Sequence, residues 1–115
     1  MRREAFCEFA LQFGQRDAES LIAYINQKPV ESVARLIRAQ KPDALLIGGE
    51  DMLFPTNFAV GMLGLNVPDD LSIVSYENCY ASSYMMPPHT TIAQNFAALA
   101  ENAVDLALEA LADKK

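Results

Sequence analysis

The hexapeptide Leu71-Ser72-Ile73-Val74-Ser75-Tyr76 sets the tightest limit on how the chain can fold. Pro68-Asp69-Asp70 introduces it and Glu77-Asn78 follows at once. The Pro68 ring fixes its own φ and biases Val67 toward extended backbone, so any helix before this point must already have ended. Asp69 and Asp70 read as turn formers. A short β-branched run between turn residues reads as a buried strand. Open α/β sheets bind ligands outside the carboxyl ends of their strands. The side chains just past Tyr76 therefore belong at a small-molecule site, not a catalytic one.

The rest of the chain alternates between two periodicities. Residues 21–25, Leu-Ile-Ala-Tyr-Ile, predict a strand. Residues 44–49, Ala-Leu-Leu-Ile-Gly-Gly, predict a second buried strand with Glu50 and Asp51 just past its end, and residues 90–92 a final short one. Phe6, Phe9, Ala10 and Phe13 repeat at helical spacing opposite Arg3, Glu4, Glu8 and Gln12, with Gly14 as a stop. No N-cap precedes them, so the chain is expected to start inside a helix, as an incomplete product would. Pro29 suits a first helical turn, and Val30, Val33, Ala34, Leu36 and Ile37 keep the period until Lys41-Pro42-Asp43 ends it. Thr56 or Asn57 caps the next helix, expected to bury Phe58, Ala59, Met62 and Leu63 and to stop near Gly64. Residues 79–86 have no clean period and predict a loop or a short helix. Asn95 caps a helix through about Leu111, whose apolar face is wide enough to need burial on more than one side. Strands alternating with helices imply an α/β fold, a short parallel sheet in three αβα layers, within one domain.

Composition removes several function classes. A net charge of −6 and the absence of a lysine/arginine stripe argue against phosphate-backbone binding by this chain. No apolar run approaches 18 residues and the start lacks a signal-peptide pattern, so the expectation is a cytoplasmic protein with no membrane contact. Cys7 and Cys79 fit no metal spacing and are expected to be free thiols. No phosphate, dinucleotide or nucleophile-elbow glycine motif is present, and the lone His89 has no partner at catalytic spacing. An enzyme, a metal and a cofactor are therefore not expected. Glu50 and Glu77 each follow a predicted strand, and a right-handed βαβ layout brings both to one sheet edge. Carboxylates there would accept hydrogen bonds from adjacent sugar hydroxyls or from a purine-type ring.

Val67-Pro-Asp-Asp-Leu-Ser-Ile-Val-Ser-Tyr-Glu-Asn78, followed by Pro87-Pro-His-Thr-Thr-Ile-Ala-Gln94, resembles the ligand-sensing core of the lactose-repressor/galactose-repressor (LacI/GalR) transcription regulators. The family pattern is V-P-x-D-[IVL]-S-[IV]-[IV]-G-[FY]-D, then P-P-L-T-T-[IV]-x-Q. Arg2, Phe6, Ala10 and Leu11 match its first helix, where Ala5 replaces a glycine. Counting back from Gly64 sets Gly49 and Glu50 on its Asn-Asp pair, with Asp51 one position late. Glu77 stands where the family has aspartate, Ser75 where it has glycine and His89 where it has leucine.

The resemblance implies half of a type I periplasmic-binding-protein-like fold, with residues 1–115 as the C-terminal lobe of a ligand-sensing domain. The 95–112 helix would cross back to an N-terminal lobe. Arg2, Glu50, Glu77 and Gln94 are implied as ligand contacts for a sugar or a purine- or nucleoside-like effector, and Tyr76, an aromatic just past the strand, is the candidate to stack on its ring. Phe54, Tyr84, Met85 and Met86 are implied in a homodimer interface. Effector binding would shift lobe closure and so control DNA binding, through a DNA-binding domain that this chain does not contain. The alternative class is a flavodoxin-like or receiver-type signalling domain, or a non-catalytic protein-interaction domain. A receiver needs an acidic pair after its first strand and a lysine after its last, and residues 25–27 and the stretch after Ile92 supply neither.

Overall fold

A computed structural model describes residues 2–76 and 79–114. Four α-helices and three short strands follow one another as α1 (Arg2–Gln12), α2 (Pro29–Gln40), β1 (Ala44–Ile47), α3 (Leu53–Met62), β2 (Ser72–Ser75), β3 (Thr90–Thr91) and α4 (Phe96–Asp113). Single 3₁₀ turns occupy Ala18–Leu21, Glu50–Met52 and Tyr80–Tyr84.

Local chemistry sets these boundaries. Pro29 opens α2 at a position where a missing N–H costs nothing. Lys41 ends it in a left-handed conformation, its N–H bonded to the Ile37 carbonyl at 2.9 Å, and Pro42 forbids continuation. Gly64, at φ +68°, is the corresponding stop after α3. Asn95 caps α4 by accepting from the Ala98 N–H at 3.0 Å. Asp70 closes the turn before β2 through bonds to and from Asn66, each 2.7 Å.

The strands form one parallel sheet in the order β1-β2-β3, with Leu45 beside Ile73, Ile47 beside Ser75 and Ser75 beside Thr91. Side chains alternate across a strand, so one face carries Leu45, Ile47, Ile73, Ser75 and Thr91. That face packs on Val33, Ala34 and Ile37 of α2 and on Leu53, Ala59 and Val60 of α3, with Leu71 and Met85 completing the core. The other face carries Ala44, Leu46, Ser72, Val74 and Thr90. It is largely open: Leu46 keeps 49% of its surface exposed. Neither α1 nor α4 contains a buried residue.

The α/β class and the parallel sheet agree with the sequence, but the described helices close only one of the two expected helical layers. The radius of gyration, 17.9 Å, exceeds the value of about 13 Å for a compact chain of this length.

Three expectations need correction. Residues 21–25 form no strand, because nothing lies beside them to complete a hydrogen-bonded ladder. Leu21 ends a 3₁₀ turn, Tyr24 is exposed, and only Ile25 touches the core. The helix after Glu50 starts at Leu53, before either proposed cap, and turns Leu53, Thr56, Ala59 and Val60 inward. Phe58 and Met62, expected in the core, point out with 61% and 58% of their surface exposed. The strand at 44–49 ends at Ile47 and is buried on one side only.

Candidate functional site

The carboxyl ends of β1 and β2 converge on a small polar edge. The Tyr76 N–H donates to the Ile47 carbonyl at 2.8 Å, which extends the ladder by one residue and fixes the tyrosine directly beyond β2. Gly48 continues β1 at the same level. Arg2, the first residue of α1, reaches this edge from outside the sheet. Its guanidinium Nη1 donates to the Gly48 carbonyl at 2.6 Å, and its Cζ lies 4.0 Å from the centroid of the Tyr76 ring. A guanidinium over an aromatic face is an electrostatic contact as well as a packing one. Arg2 and Tyr76, 74 residues apart in sequence, thus share one place.

Glu50 opens the 3₁₀ turn after β1, three residues past Ile47, and is exposed. It stands on the same rim, where its carboxylate can accept hydrogen bonds from hydroxyl or N–H donors. Gln94 follows β3 and is half-buried before the α4 cap. Glu77, the second expected acid, lies outside the described residues. The strands that precede Glu50 and Glu77 in sequence, β1 and β2, are paired as parallel neighbours.

A second polar group ties α1 to the chain. Arg3 pairs with Glu19, and the Cys7 Sγ lies 3.5 Å from the other Glu19 carboxylate oxygen. The hydrogen bond from Arg3 holds the Glu19 carboxyl below the usual carboxylate range, while desolvation followed by the bond to Glu19 pushes the Cys7 thiol up. This cluster positions the helix that carries Arg2. Cys7 and Cys79 are free thiols. Among the described residues no group of three or more histidine, cysteine, aspartate or glutamate side chains could hold a metal ion, and no helix is long and apolar enough to cross a membrane.

The residues expected at an interface divide. Phe54, Tyr84 and Met86 are exposed, at 65%, 67% and 87%, but Met85 keeps 3% of its surface and belongs to the chain's own core. Met85 immediately follows the 3₁₀ turn, and the backbone there directs alternate side chains inward and outward. Tyr84 donates from its hydroxyl to Tyr80 at 3.0 Å, with ring centroids 4.8 Å apart. Sequence reasoning missed an exposed apolar row along α3, where Phe54, Phe58 and Met62 recur every fourth residue and all face outward. That spacing was visible in the sequence. Only the choice of face was not.

His89 is buried, and neither ring nitrogen has a hydrogen-bond partner among the described residues; burial pushes its pKa down. Together with the unpartnered Ser75 hydroxyl it marks the stretch where this chain departs from the family pattern.

Comparison with known proteins places the whole chain in one group. The family described as "periplasmic binding protein-like domain" matches residues 2–115. The HTH-type transcriptional repressor PurR of Histophilus somni (strain 129Pt) is 34% identical over 79 residues, which are 69% of this chain and 24% of that protein. The lac repressor dimer bound to operator and the anti-inducer ONPF superposes with a TM-score of 0.61 at 30% identity, over 70% of this chain and 29% of that one. The transcriptional regulator CelR–cellobiose complex has the same fold over 95% of this chain and 35% of its own, with a TM-score of 0.79 at 21% identity. The chain spans about a quarter of the length of the PurR relatives it matches.

Proposed function

From the premise that this chain belongs to the periplasmic binding protein-like domain family, we propose that it is the C-terminal effector-sensing lobe of a LacI/GalR-type transcriptional regulator. The observation that carries the reading is the guanidinium of Arg2 held between the Gly48 carbonyl and the Tyr76 ring, at the carboxyl ends of two adjacent parallel strands. The effector is a small polar molecule with a flat or ring-shaped body: a sugar, or a purine or nucleoside. Arg2 supplies a cation and N–H donors, Tyr76 a ring face, and Glu50 and Glu77 the acceptors. Gln94 sits where the chain leaves the sheet for α4. The open rim forms one wall of a cleft, and α4 crosses to the lobe that forms the other. Lobe closure on the effector then biases a DNA-binding segment outside this chain. The parent protein works as a homodimer, consistent with the dimer in the lac repressor complex. Phe54, Tyr84 and Met86, joined by Phe58 and Met62, supply this lobe's share of the contact. The reading involves no catalysis.

Saturation-transfer NMR and calorimetry with a panel of mono- and disaccharides, purine bases and nucleosides test this. One class binds saturably, weakly for a single cleft wall, and Arg2→Ala and Tyr76→Ala each weaken it at least tenfold, about 1.4 kcal/mol. Binding that ignores both substitutions, or no saturable binding by any of the four classes, defeats the proposal.

A further inference from the structure

The turn after β1 carries a second acid to which no role has been given. Asp51 is exposed in the 3₁₀ turn Glu50–Met52. Its side chain folds back over the end of the strand: a Cβ built on Gly49 would lie 2.8 Å from the Asp51 Oδ1 and 3.9 Å from its Cγ. Gly49 has extended backbone, φ −154° and ψ 153°, which any residue adopts, so space and not conformation explains this glycine. The Asp51 carboxylate fills the volume that a side chain at 49 would need. The asparagine of the LacI/GalR pattern has no place there while Asp51 holds this rotamer.

This seat lies inside the candidate site. Gly49 adjoins Gly48, whose carbonyl accepts from Arg2, and Arg2 in turn covers the Tyr76 ring. Gly48 is exposed, and a Cβ on it would meet nothing within 4 Å, so bare backbone beside Asp51 is open to close approach by a ligand. Among the described residues the Asp51 carboxylate accepts no hydrogen bond and joins no ion pair. Its oxygens are available to donors from outside the chain. Exposed Glu50 stands next to it, so this end of β1 sets two carboxylates against one guanidinium.

We propose that Asp51, seated over Gly49, is a specificity-determining acid of the effector site. It selects an uncharged effector that presents adjacent hydroxyl or N–H donors, and it rejects the phosphate ester of the same compound. This role rests on Arg2 and Tyr76 lining the effector cleft. A carboxylate accepts hydrogen bonds and donates none, whereas an amide in the same place does both and would tolerate donors and acceptors alike. A phosphate brought to this edge meets two like charges, and the guanidinium that could offset them already donates to the Gly48 carbonyl.

Calorimetry and saturation-transfer NMR on the full chain test this with glucose, ribose and adenosine, each paired with its phosphate ester. The uncharged compound that binds does so at least tenfold more tightly than its ester. Two variants disturb the carboxylate by different means. Asp51→Asn keeps its shape and removes its charge, while Gly49→Ala keeps the charge and pushes it from its seat. Each lowers the preference for the uncharged compound at least tenfold. In an Asp51→Ala chain, adding Gly49→Ala changes the preference by less than about twofold, because nothing remains to be displaced. Circular dichroism verifies each fold, and either variant decides the matter if the other unfolds. Binding that is lost with Arg2→Ala but keeps its preference in Asp51→Asn and Gly49→Ala overturns the role of Asp51 and leaves the effector reading standing. A wild-type chain that prefers the ester, or a Gly49→Ala effect that persists undiminished without Asp51, overturns it as well. No saturable binding of any of these compounds, in the uncharged form or as the ester, counts against Asp51 and the effector reading together.

Discussion

Truncating one leucine on each side of the sheet reads out which face is packed. Leu71 retains 1% of its surface and continues the inward row of Ile73 and Ser75, whereas Leu46 retains 49% on the opposite face. Leu71→Ala removes three buried carbon groups, about 2.4 kcal/mol of transfer free energy at ~0.8 kcal/mol each. Cavity formation raises this to about 3 kcal/mol or more. Leu46→Ala removes the same atoms from a half-exposed site and leaves no enclosed cavity, so its cost is about 1 kcal/mol. Urea unfolding of the two variants at low protein concentration, with an m-value near 1.5 kcal/mol/M, then gives midpoint shifts of about 2 M and about 0.7 M. Equal shifts with unchanged m would refute a one-sided core and mean that a helix covers Leu46 in solution.

Other expected outcomes follow from single contacts. Burial lowers the His89 pKa from its ordinary 6.5, so folding favours the neutral ring. The associated stability is complete above pH 6.5 and is lost as pH falls through the lower folded value. His89→Leu therefore narrows the Tm difference between pH 7.5 and pH 5.5, and an unchanged difference rejects this account. Asn95→Ala costs α4 about 1 kcal/mol at its N-terminus. Because α4 buries nothing, the loss shows as fraying in far-UV circular dichroism, not as a shift of the main unfolding transition. Gly64→Ala meets no atom within 4 Å of the new Cβ, so only the positive φ opposes it. A destabilisation of about 1 kcal/mol is expected by chemical denaturation, and a stabilised variant would show that the turn can change conformation freely.

Much of the element plan was legible because it rests on local rules. Pro29, Lys41-Pro42, Gly64 and Asn95 act within one turn of themselves, and each bounds a helix as the sequence indicated. The alternation through Leu71, Ile73 and Ser75 likewise marked the inward row of β2 before any partner was known. The failures share a cause. The run at 21–25 has strand chemistry but no neighbour, and a strand is stabilised by a ladder that no single segment contains. On α3, Phe58 and Val60 are both apolar, and hydrophobicity alone does not say which one meets α2.

The sequence by itself determined the family, the order of the four helices and of β1 to β3, and the rim on which Glu50 and Tyr76 stand. These follow from periodicity, turn residues and motif spacing, all short-range properties of the chain. Tertiary structure alone decided that Arg2 lies across Tyr76, that Met85 turns inward, and that one sheet face and all of α4 remain uncovered. Each of those outcomes depends on contacts between segments far apart in sequence, and such contacts exist only once the chain has closed on itself.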